Sequence, residues 1–437
     1  MKKAMSLLLA TTLAMGLCAC GTQTESTGNK EAAKGEAAAE VTFTPRLDTE
    51  QTATLEISGF MGNFEALDQV INAFNEIYPN VTFYYDHNSA FMLPQYLESN
   101  NGNDIFMADD QNIKGADLTD YYVQDWCVDL AGEDINTSAV WPEALSDCTV
   151  DGKLLRLPVA MNPCGIVVNT TLLKKEGLSV PQNYEEFLSV MAALKEKGYV
   201  PLQGSEQHLY GELMVNMAMN VLAENAGAVE ALQAGEDSAV ETILPVFEKL
   251  ETILQNGYTD YDLNCTYPAD NYDGSIMAFY EGNMPFYVCN AECVSGMKKR
   301  ESKSETFTAN PFTYEFLYAP LGENGVYAYT EPWYGFCVNK NSDAKDLAVE
   351  FLRFMMTTEQ LDNMGSIKGM PAAATNGTDE RYAGIQKISN LEASFSNDGS
   401  VPGEIRAAFV QVCNDFGAGV YADAREAVGA FAEQCKK

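Results

Sequence analysis

The chain has 437 residues, of which 46% are hydrophobic and 20% charged, a composition typical of a soluble protein with two or three domains. Its 62 Asp and Glu residues against 27 Lys and Arg give a formal net charge of −35. So acidic a surface repels nucleic acids and anionic membranes, but it leaves neutral and cationic small molecules open as ligands.

The first residues predict an exported protein. Two lysines precede an apolar stretch over residues 7–17 that is too short to span a membrane. Ala19-Cys20 then resembles the bacterial lipobox, in which a small residue precedes a cysteine that is acylated after cleavage. The resemblance implies a lipoprotein signal peptide over residues 1–19 and a palmitate-type lipid anchor on Cys20. An ordinary secretory leader is the alternative.

A tether follows the predicted leader. Residues 21–40 contain no Val, Ile, Leu, Phe, Tyr or Trp, so they cannot bury enough apolar surface to fold. A flexible coil of 20 residues would span on the order of 25 Å. We therefore predict a lipid-anchored flexible tether over residues 20–50, which holds a folded body away from a membrane.

Strand-like and helix-like segments alternate along the body. Residues 54–58, 81–85 and 104–107 are predicted strands, and apolar residues recur at helical spacing over 64–74. Asn183 with Glu186 is a capping-box pattern for a later helix. The alternation predicts α/β layers with mostly parallel sheets, in which ligands gather at the carboxyl ends of the strands.

Nine cysteines follow Cys20, at irregular spacing and mostly within apolar runs. Disulfides are possible in an exported protein, but buried, reduced cysteines that act as small hydrophobic residues fit this pattern better. No Cys-x-x-Cys occurs, so the sequence offers no support for a zinc ribbon or a thioredoxin-like site.

The sequence gives no positive evidence for an enzyme. His87 and His208 are its two histidines, and it has neither a Gly-x-Ser-x-Gly elbow nor a P-loop. We predict no catalytic residue, no cofactor and no metal ligand. A secreted glycan hydrolase remains a remote alternative, because 62 acidic residues offer many carboxylate pairs.

Several different short motifs follow one another along the body, and their order and spacing resemble those of a known family. They are Tyr78-Pro79-Asn80-Val81, Asn103-Asp104-Ile105, Asp151-Gly152-Lys153, Leu157-Pro158, Val168-Asn169-Thr170, Glu176-Gly177, Phe279-Tyr280-Glu281-Gly282-Asn283-Met284-Pro285 and Gly369-Met370-Pro371-Ala372. Together they resemble the extracellular solute-binding proteins of family 1, the maltose-binding-like proteins that feed ABC importers with carbohydrate.

The resemblance implies the periplasmic-binding-protein fold of type II. This fold is α/β and has two lobes, each a mostly parallel sheet flanked by helices, with the ligand cleft between them. Carried over, residues 52–161 plus 321–362 form the N-terminal lobe, and residues 162–320 plus 363–437 form the C-terminal lobe.

The resemblance also indicates candidate ligand contacts in the first lobe and at the crossover. They are Phe60, Met61 and Asn63 after the first strand, Asp109 and Asp110 after the third, and Asn162 between the lobes. The alternatives are a loop packed on its own lobe, a helix-capping pair of aspartates and a hinge-stabilising hydrogen bond, respectively.

Further candidates come from the second lobe and the return crossover. They are Glu206, His208 and Tyr210 in a polar loop, Asn290 and Glu292 after a strand, and Trp333 and Tyr334 near a hinge. Many sugar binders of the family carry a tryptophan where this chain has Asn290-Ala291-Glu292, so a cationic or other non-sugar solute stays an alternative. Trp333 is the best candidate for stacking against a solute.

The function implied is solute uptake. A monomeric, lipid-anchored protein on the extracytoplasmic face of the membrane would bind a solute, a sugar or oligosaccharide, by closing its cleft. It would then deliver the solute to the transmembrane subunits of an ABC permease.

Overall fold

The chain folds as a mixed α/β protein, described by a computed structural model over residues 40–61, 64–87, 92–99, 103–108, 118–205, 209–267, 272–330, 332–374, 377–396 and 400–437. The predicted leader, Cys20 and residues 20–39 of the predicted tether lie outside these ranges. Within them, no helix combines the length and apolar character that crossing a bilayer requires.

The strands of the described residues are β1 (Ala53–Ser58), β2 (Val81–Asp86), β3 (Ile105–Ala108), β4 (Thr149–Val150), β5 (Lys153–Leu154), β6 (Leu157–Met161), β7 (Cys164–Asn169), β8 (Leu202–Gly204), β9 (Phe286–Asn290), β10 (Tyr314–Leu317), β11 (Val326–Thr330), β12 (Pro332–Val338) and β13 (Leu391–Ser396).

The α-helices are α1 (Glu65–Asn75), α2 (Leu93–Glu98), α3 (Leu118–Val123), α4 (Pro142–Asp147), α5 (Thr170–Lys175), α6 (Tyr184–Glu196), α7 (Leu209–Glu224), α8 (Ala228–Ala234), α9 (Asp237–Gln255), α10 (Tyr261–Asn264), α11 (Tyr272–Phe279), α12 (Ala291–Glu301), α13 (Glu305–Ala309), α14 (Lys345–Met355), α15 (Thr358–Lys368), α16 (Ala383–Gln386), α17 (Gly403–Gly417) and α18 (Ala424–Cys435).

The first sheet has the strand order β2-β1-β3-β12-β6. β1 pairs in parallel with β2 and β3, and β12 pairs antiparallel with both β3 and β6. Four strands therefore point the same way and β12 alone is reversed. Because Gly335 lies opposite Ala108 and Pro332 opposite Met161, the start of β12 meets the carboxyl ends of β3 and β6 at one edge.

The second sheet has the order β10-β7-β9-β8 and again contains one reversed strand. β8 is parallel to β9, whereas β7 is antiparallel to both of its neighbours. β7 begins at Cys164, opposite Asn290, the last residue of β9. Most strands of each sheet therefore run in one direction, although four of the seven pairings in the two sheets are antiparallel because of the reversed strands β7 and β12.

The chain crosses from one sheet to the other over a very short distance. β6 ends at Met161 and β7 begins at Cys164, so Asn162 and Pro163 make the crossing. The return path runs from β10 to β12 through β11, which pairs with β13 in a separate two-stranded sheet.

Two large hydrophobic cores accompany the sheets. The first joins β1, α1 and α14 and extends onto one face of the second sheet, and the second surrounds α7, α9, α17 and α18. Two facts bear on the predicted lobe limits. Leu321 and Tyr329, predicted in the N-terminal lobe, lie in the second core, and the limit at 362/363 falls inside α15.

The end of the predicted tether is part of the folded body. The Val41 amide donates to the Thr358 hydroxyl at 2.9 Å. The ring of Phe43 lies edge-on to Phe354, with 5.2 Å between centroids. The prediction of a free tether up to residue 50 is therefore wrong, because Val41 and Phe43 supply the apolar groups that residues 21–40 lack.

We expect Phe43→Ala to lower the free energy of unfolding by about 1–3 kcal/mol, because it removes a partly buried ring from the contact with α14. Urea unfolding followed by fluorescence measures the change. Phe43→Leu, which keeps apolar volume, should lose less. Equal stability of Phe43→Ala and the parent protein would contradict the docking of this segment.

The nine cysteines after Cys20 are free thiols in the structure. Eight are buried and Cys265 is half-buried. Burial raises the pKa of the Cys413 thiol well above its ordinary value and raises that of Cys435 to about 12. The prediction of reduced, buried cysteines is confirmed for the eight buried residues, and Cys265 is the exception.

Candidate functional site

The loop after β1 lies against the start of β12. A Cβ atom at Gly59 would lie 2.2 Å from the Tyr85 hydroxyl oxygen, so a glycine is needed for this close approach. The Tyr85 hydroxyl donates to the Met61 carbonyl at 3.1 Å and accepts from the Met61 amide at 3.3 Å. These bonds fix the backbone that carries Phe60, whose ring is perpendicular to that of Tyr334 at 6.4 Å between centroids.

Trp333 and Tyr334 stand together at the start of β12, with 5.0 Å between ring centroids. Trp333 is half-buried, whereas Tyr334 is fully buried and burial raises the pKa of its hydroxyl. Trp333 therefore offers a ring face at this edge, and Tyr334 supports it from within the first core.

The crossover is tied to the start of α12. The Asn162 side-chain oxygen accepts the Glu292 amide at 3.1 Å, and the Pro163 carbonyl accepts the Ala291 amide at 3.0 Å. These two bonds satisfy amides that a helix start leaves without partners inside the helix. The structure thus brings the predicted residues Asn162 and Glu292 together at the junction of the two sheets.

Asn290 is buried behind this junction and both ends of its amide are engaged. Its oxygen caps α12 by accepting the Cys293 amide at 3.1 Å. Its nitrogen donates to Glu212 at 2.9 Å and to the Tyr272 hydroxyl at 3.3 Å. Asn290 therefore orients α12 and joins it to α7 and α11.

Glu212 is an acid inside the protein, with 6% of its surface exposed. Burial raises the pKa of its carboxyl from an ordinary 4.5 to about 8, and the charge of Glu292 adds to this rise. The charge of Arg406 and the hydrogen bond from Asn290 oppose it. At neutral pH Glu212 is therefore mainly a neutral acid, which suits a site that water does not reach.

A cavity of about 460 Å³ opens in front of the start of α12. One wall comes from α1 and the end of α15, and the other comes from α11 and α12. The lining residues are Glu65, Ala66, Tyr272, Asp273, Ile276, Glu292, Cys293, Ser295, Gly296, Lys299, Arg300, Ile367 and Lys368. Its size is that of a small-molecule site.

A cation–aromatic contact lies beside this cavity. The Lys368 ammonium is 5.0 Å from the centroid of the Trp333 ring. Burial lowers the pKa of Lys368, the charge of Glu292 opposes this, and the charge of Lys299 adds to it. Burial within the concave site likewise raises the pKa of the Glu292 carboxyl, although this side chain is open to solvent, and the charge of Lys368 works against the rise.

The structure does not gather all of the predicted site residues. Tyr210 is fully buried in the second core, and its hydroxyl is 3.4 Å from that of Thr259. A ligand contact for Tyr210 is therefore not supported, because α7 turns this residue into the packing against α17. Outside the described residues lie Asn63, Asp109, Asp110, Glu206 and His208.

Four residues that stand at this site are not among those predicted from the sequence, namely Glu212, Tyr272, Lys299 and Lys368. A signal existed for two of them. Glu212 is a lone acid beside the apolar run 213–215, and Lys368 directly precedes the Gly369-Met370-Pro371 motif. Lys299 belongs to a basic cluster at the end of α12, for which a solvated helix terminus is the simpler interpretation.

The groups at the site can form hydrogen bonds, ion pairs and aromatic contacts with a polar solute. The site offers carboxylate and ammonium groups, a tyrosine hydroxyl and one indole face. In the ranges that the structure describes, no three His, Cys, Asp or Glu side chains come together as metal ligands.

Comparison with known proteins places this chain in context. The family model of bacterial extracellular solute-binding proteins matches residues 69–381. A curated relative, the multiple sugar-binding protein of Streptococcus mutans, is 20% identical over 246 residues, 55% of this chain and 56% of the relative. The chain thus spans about half the length of this curated relative.

Solved structures share the architecture. A probable secreted solute-binding lipoprotein from Streptomyces coelicolor has a TM-score of 0.70 at 15% identity, with 87% of this chain and 98% of that chain covered. The solute-binding protein RafE of Streptococcus pneumoniae, in complex with raffinose, has a TM-score of 0.64 at 16% identity, with 88% and 100% covered. At these identities the likeness shows the fold, that of two-lobed solute-binding proteins.

Proposed function

Because the chain belongs to the bacterial extracellular solute-binding proteins, we propose that it binds a sugar or oligosaccharide and delivers it to the transmembrane subunits of an ABC importer. The observation that carries this is the cavity between the two sheets, which has charged groups on both walls and Trp333 beside it. The sugar-binding name of one relative and the raffinose complex of another support this class of solute.

The protein acts by binding, without converting its solute. Polar side chains accept and donate hydrogen bonds to hydroxyl groups, and an indole ring packs against the flat C–H face of a sugar. In this proposal Phe60, Asn162, Glu292 and Trp333 contact the solute. Met61, Asn290 and Tyr334 hold these contacts in place through the bonds and ring packing described above.

Cleft closure is the proposed signal to the permease. The crossing at Asn162 and Pro163 is short enough to act as a hinge between the sheets. A solute that touches both walls favours the closed state by its difference in affinity for the two states. In this proposal the lobes keep the predicted limits, although Leu321 and Tyr329 pack in the second core and the limit at 362/363 falls inside α15.

The proposed location is the extracytoplasmic face of the cell membrane. A signal peptide over residues 1–19, a lipid on Cys20 and a tether that ends near Val41 would hold a monomer close to the permease. A structural relative named as a secreted solute-binding lipoprotein supports the anchor.

Isothermal titration calorimetry tests the class of solute. We expect at least one member of a panel of malto-, xylo- and galacto-oligosaccharides, with raffinose included, to bind with one site per chain. Amino acids, short peptides and polyamines serve as controls for the non-sugar alternative. Binding by a control and by no saccharide would contradict the proposal.

A further inference from the structure

The cavity between the sheets is richer in basic residues than the chain as a whole. Its charged lining residues are three acids, Glu65, Asp273 and Glu292, and three bases, Lys299, Arg300 and Lys368. In the entire chain 27 basic residues stand against 62 acidic ones. The equal numbers of acidic and basic residues in the lining therefore differ from the excess of acidic residues in the whole chain, and this difference calls for an explanation.

Most of these charges are compensated within the protein. Arg300 contacts the Asp273 carboxylate, and the charge of Glu292 attracts Lys368. Glu65 stands in the first turn of α1, where the helix dipole favours an acid. By contrast, no acid of the described ranges forms an ion pair with Lys299, whose position in the last turn of α12 gives it the favourable helix dipole but no carboxylate partner.

Lys299 and Lys368 come from different helices and line the same cavity. Lys299 lies in the last turn of α12 and Lys368 in the last turn of α15, and the two charges repel each other. The Lys368 ammonium is held over the Trp333 ring at 5.0 Å. Both lysines thus line one cavity, and the ammonium of Lys368 also lies over the Trp333 ring.

This arrangement discriminates between solutes by charge. A cationic solute would be repelled by the ammonium groups of Lys299 and Lys368, so the site disfavours it. An anionic group placed between the two ammonium groups would relieve their repulsion and accept charge-assisted hydrogen bonds from both. A ring attached to that group would lie within reach of Trp333.

We infer that the cleft selects a saccharide that carries an anionic substituent, a carboxylate or a phosphate ester, held by Lys299 and Lys368 beside Trp333. This inference rests on the proposed function, because it requires a saccharide in this cavity. Lys299 and Lys368 are then the residues that determine specificity.

Calorimetry with charge-matched saccharides tests the inference on the full chain. The probes are galactose, galacturonate, galactosamine and galactose 6-phosphate, together with galacturonate and neutral galactose oligomers of equal length. We expect the acidic members to bind about tenfold or more tighter than the neutral ones and the amino sugar to bind more weakly still. Raising the salt concentration should reduce this preference. Comparing the affinities for galacturonate and galactose 6-phosphate shows whether the site prefers a carboxylate or a phosphate.

Variants assign the preference to particular residues. Lys299→Met and Lys368→Met should each cut the acidic-over-neutral affinity ratio by about tenfold. Lys298→Met is the matched control, because this neighbour on α12 pairs with Glu301 and does not line the cavity. If Lys368→Met folds poorly, the exposed Lys299 still provides the test.

The outcomes separate this inference from the proposed function. Neutral saccharides that bind as tightly as acidic ones, or a preference that Lys299→Met and Lys368→Met both leave intact, overturn the inference and leave sugar binding standing. A protein that binds no saccharide of any charge overturns both.

Discussion

Above pH 8 the protein is expected to be less stable than its Glu212→Gln variant, by a margin that approaches 5 kcal/mol. The native carboxyl of Glu212 has its pKa raised from 4.5 to about 8 by burial. Each unit of such a shift is a tenfold change in equilibrium, or ~1.4 kcal/mol. The full margin is therefore on the order of 5 kcal/mol, a large part of the stability of an ordinary domain.

The direction follows from proton binding. Between about pH 4.5 and pH 8 the folded protein keeps a proton on Glu212 that the unfolded chain has released. Stability therefore falls as pH rises through this window and levels off above it. Below pH 4.5 both states hold the proton, and Glu212 contributes no pH dependence.

Urea unfolding at pH 5, 7 and 9 provides the measurement. Glu212→Gln keeps an oxygen that can accept the Asn290 amide, so the cap of α12 and the bond to α7 are retained. The many surface acids titrate equally in both proteins, and the difference between the two pH profiles isolates Glu212. Parallel profiles would show that its carboxyl titrates normally and would contradict the prediction.

Removing the indole at position 333 should have the largest effect on solute affinity. We expect Trp333→Ala to weaken binding of the best saccharide by about 100-fold, or ~3 kcal/mol, because it deletes the ring face next to the cavity. Trp333→Phe keeps an aromatic face and should lose about tenfold or less. Calorimetry gives the affinities, and thermal unfolding shows whether each variant is folded.

A second tryptophan supplies the control. Trp141 is 40% exposed and does not line the cavity. Its indole nitrogen donates to the Ala374 carbonyl at a distance of 2.8 Å. Trp141→Ala should leave saccharide affinity unchanged within about twofold. If Trp333→Ala binds as the parent protein does, or if both tryptophan variants lose affinity equally, the proposed role of Trp333 is wrong.

Local patterns were enough to predict several elements. The predicted strands 54–58, 81–85 and 104–107 correspond to β1, β2 and β3 within one residue at each end. The Asn183 cap is confirmed, since its side chain accepts the Glu186 amide at 3.0 Å. The spacing of apolar residues, alternating in strands and every three to four residues in helices, indicates which face of an element is buried. A single sequence is therefore enough to predict individual strands and helices.

The site was harder to predict because it depends on contacts between distant segments. Lys368 reaches Trp333 because α15 ends beside β12, and neither residue's own neighbourhood encodes that contact. Asn290 was predicted to face the solute, but its amide is occupied by Glu212 and the α12 cap. Sequence can indicate that polar groups follow a strand, whereas their partners depend on how the elements pack.

The position of β12 in the first sheet has a consequence for biosynthesis. This strand fills the gap between β3 and β6, yet it ends at residue 338, almost 180 residues after β6 is complete. A polypeptide made from its amino terminus therefore carries two unpaired strand edges until after all four strands of the second sheet have been synthesised. Such edges are prone to aggregate, and pairing across so long a stretch is slow. We expect the nascent chain to depend on chaperones until β12 has been synthesised.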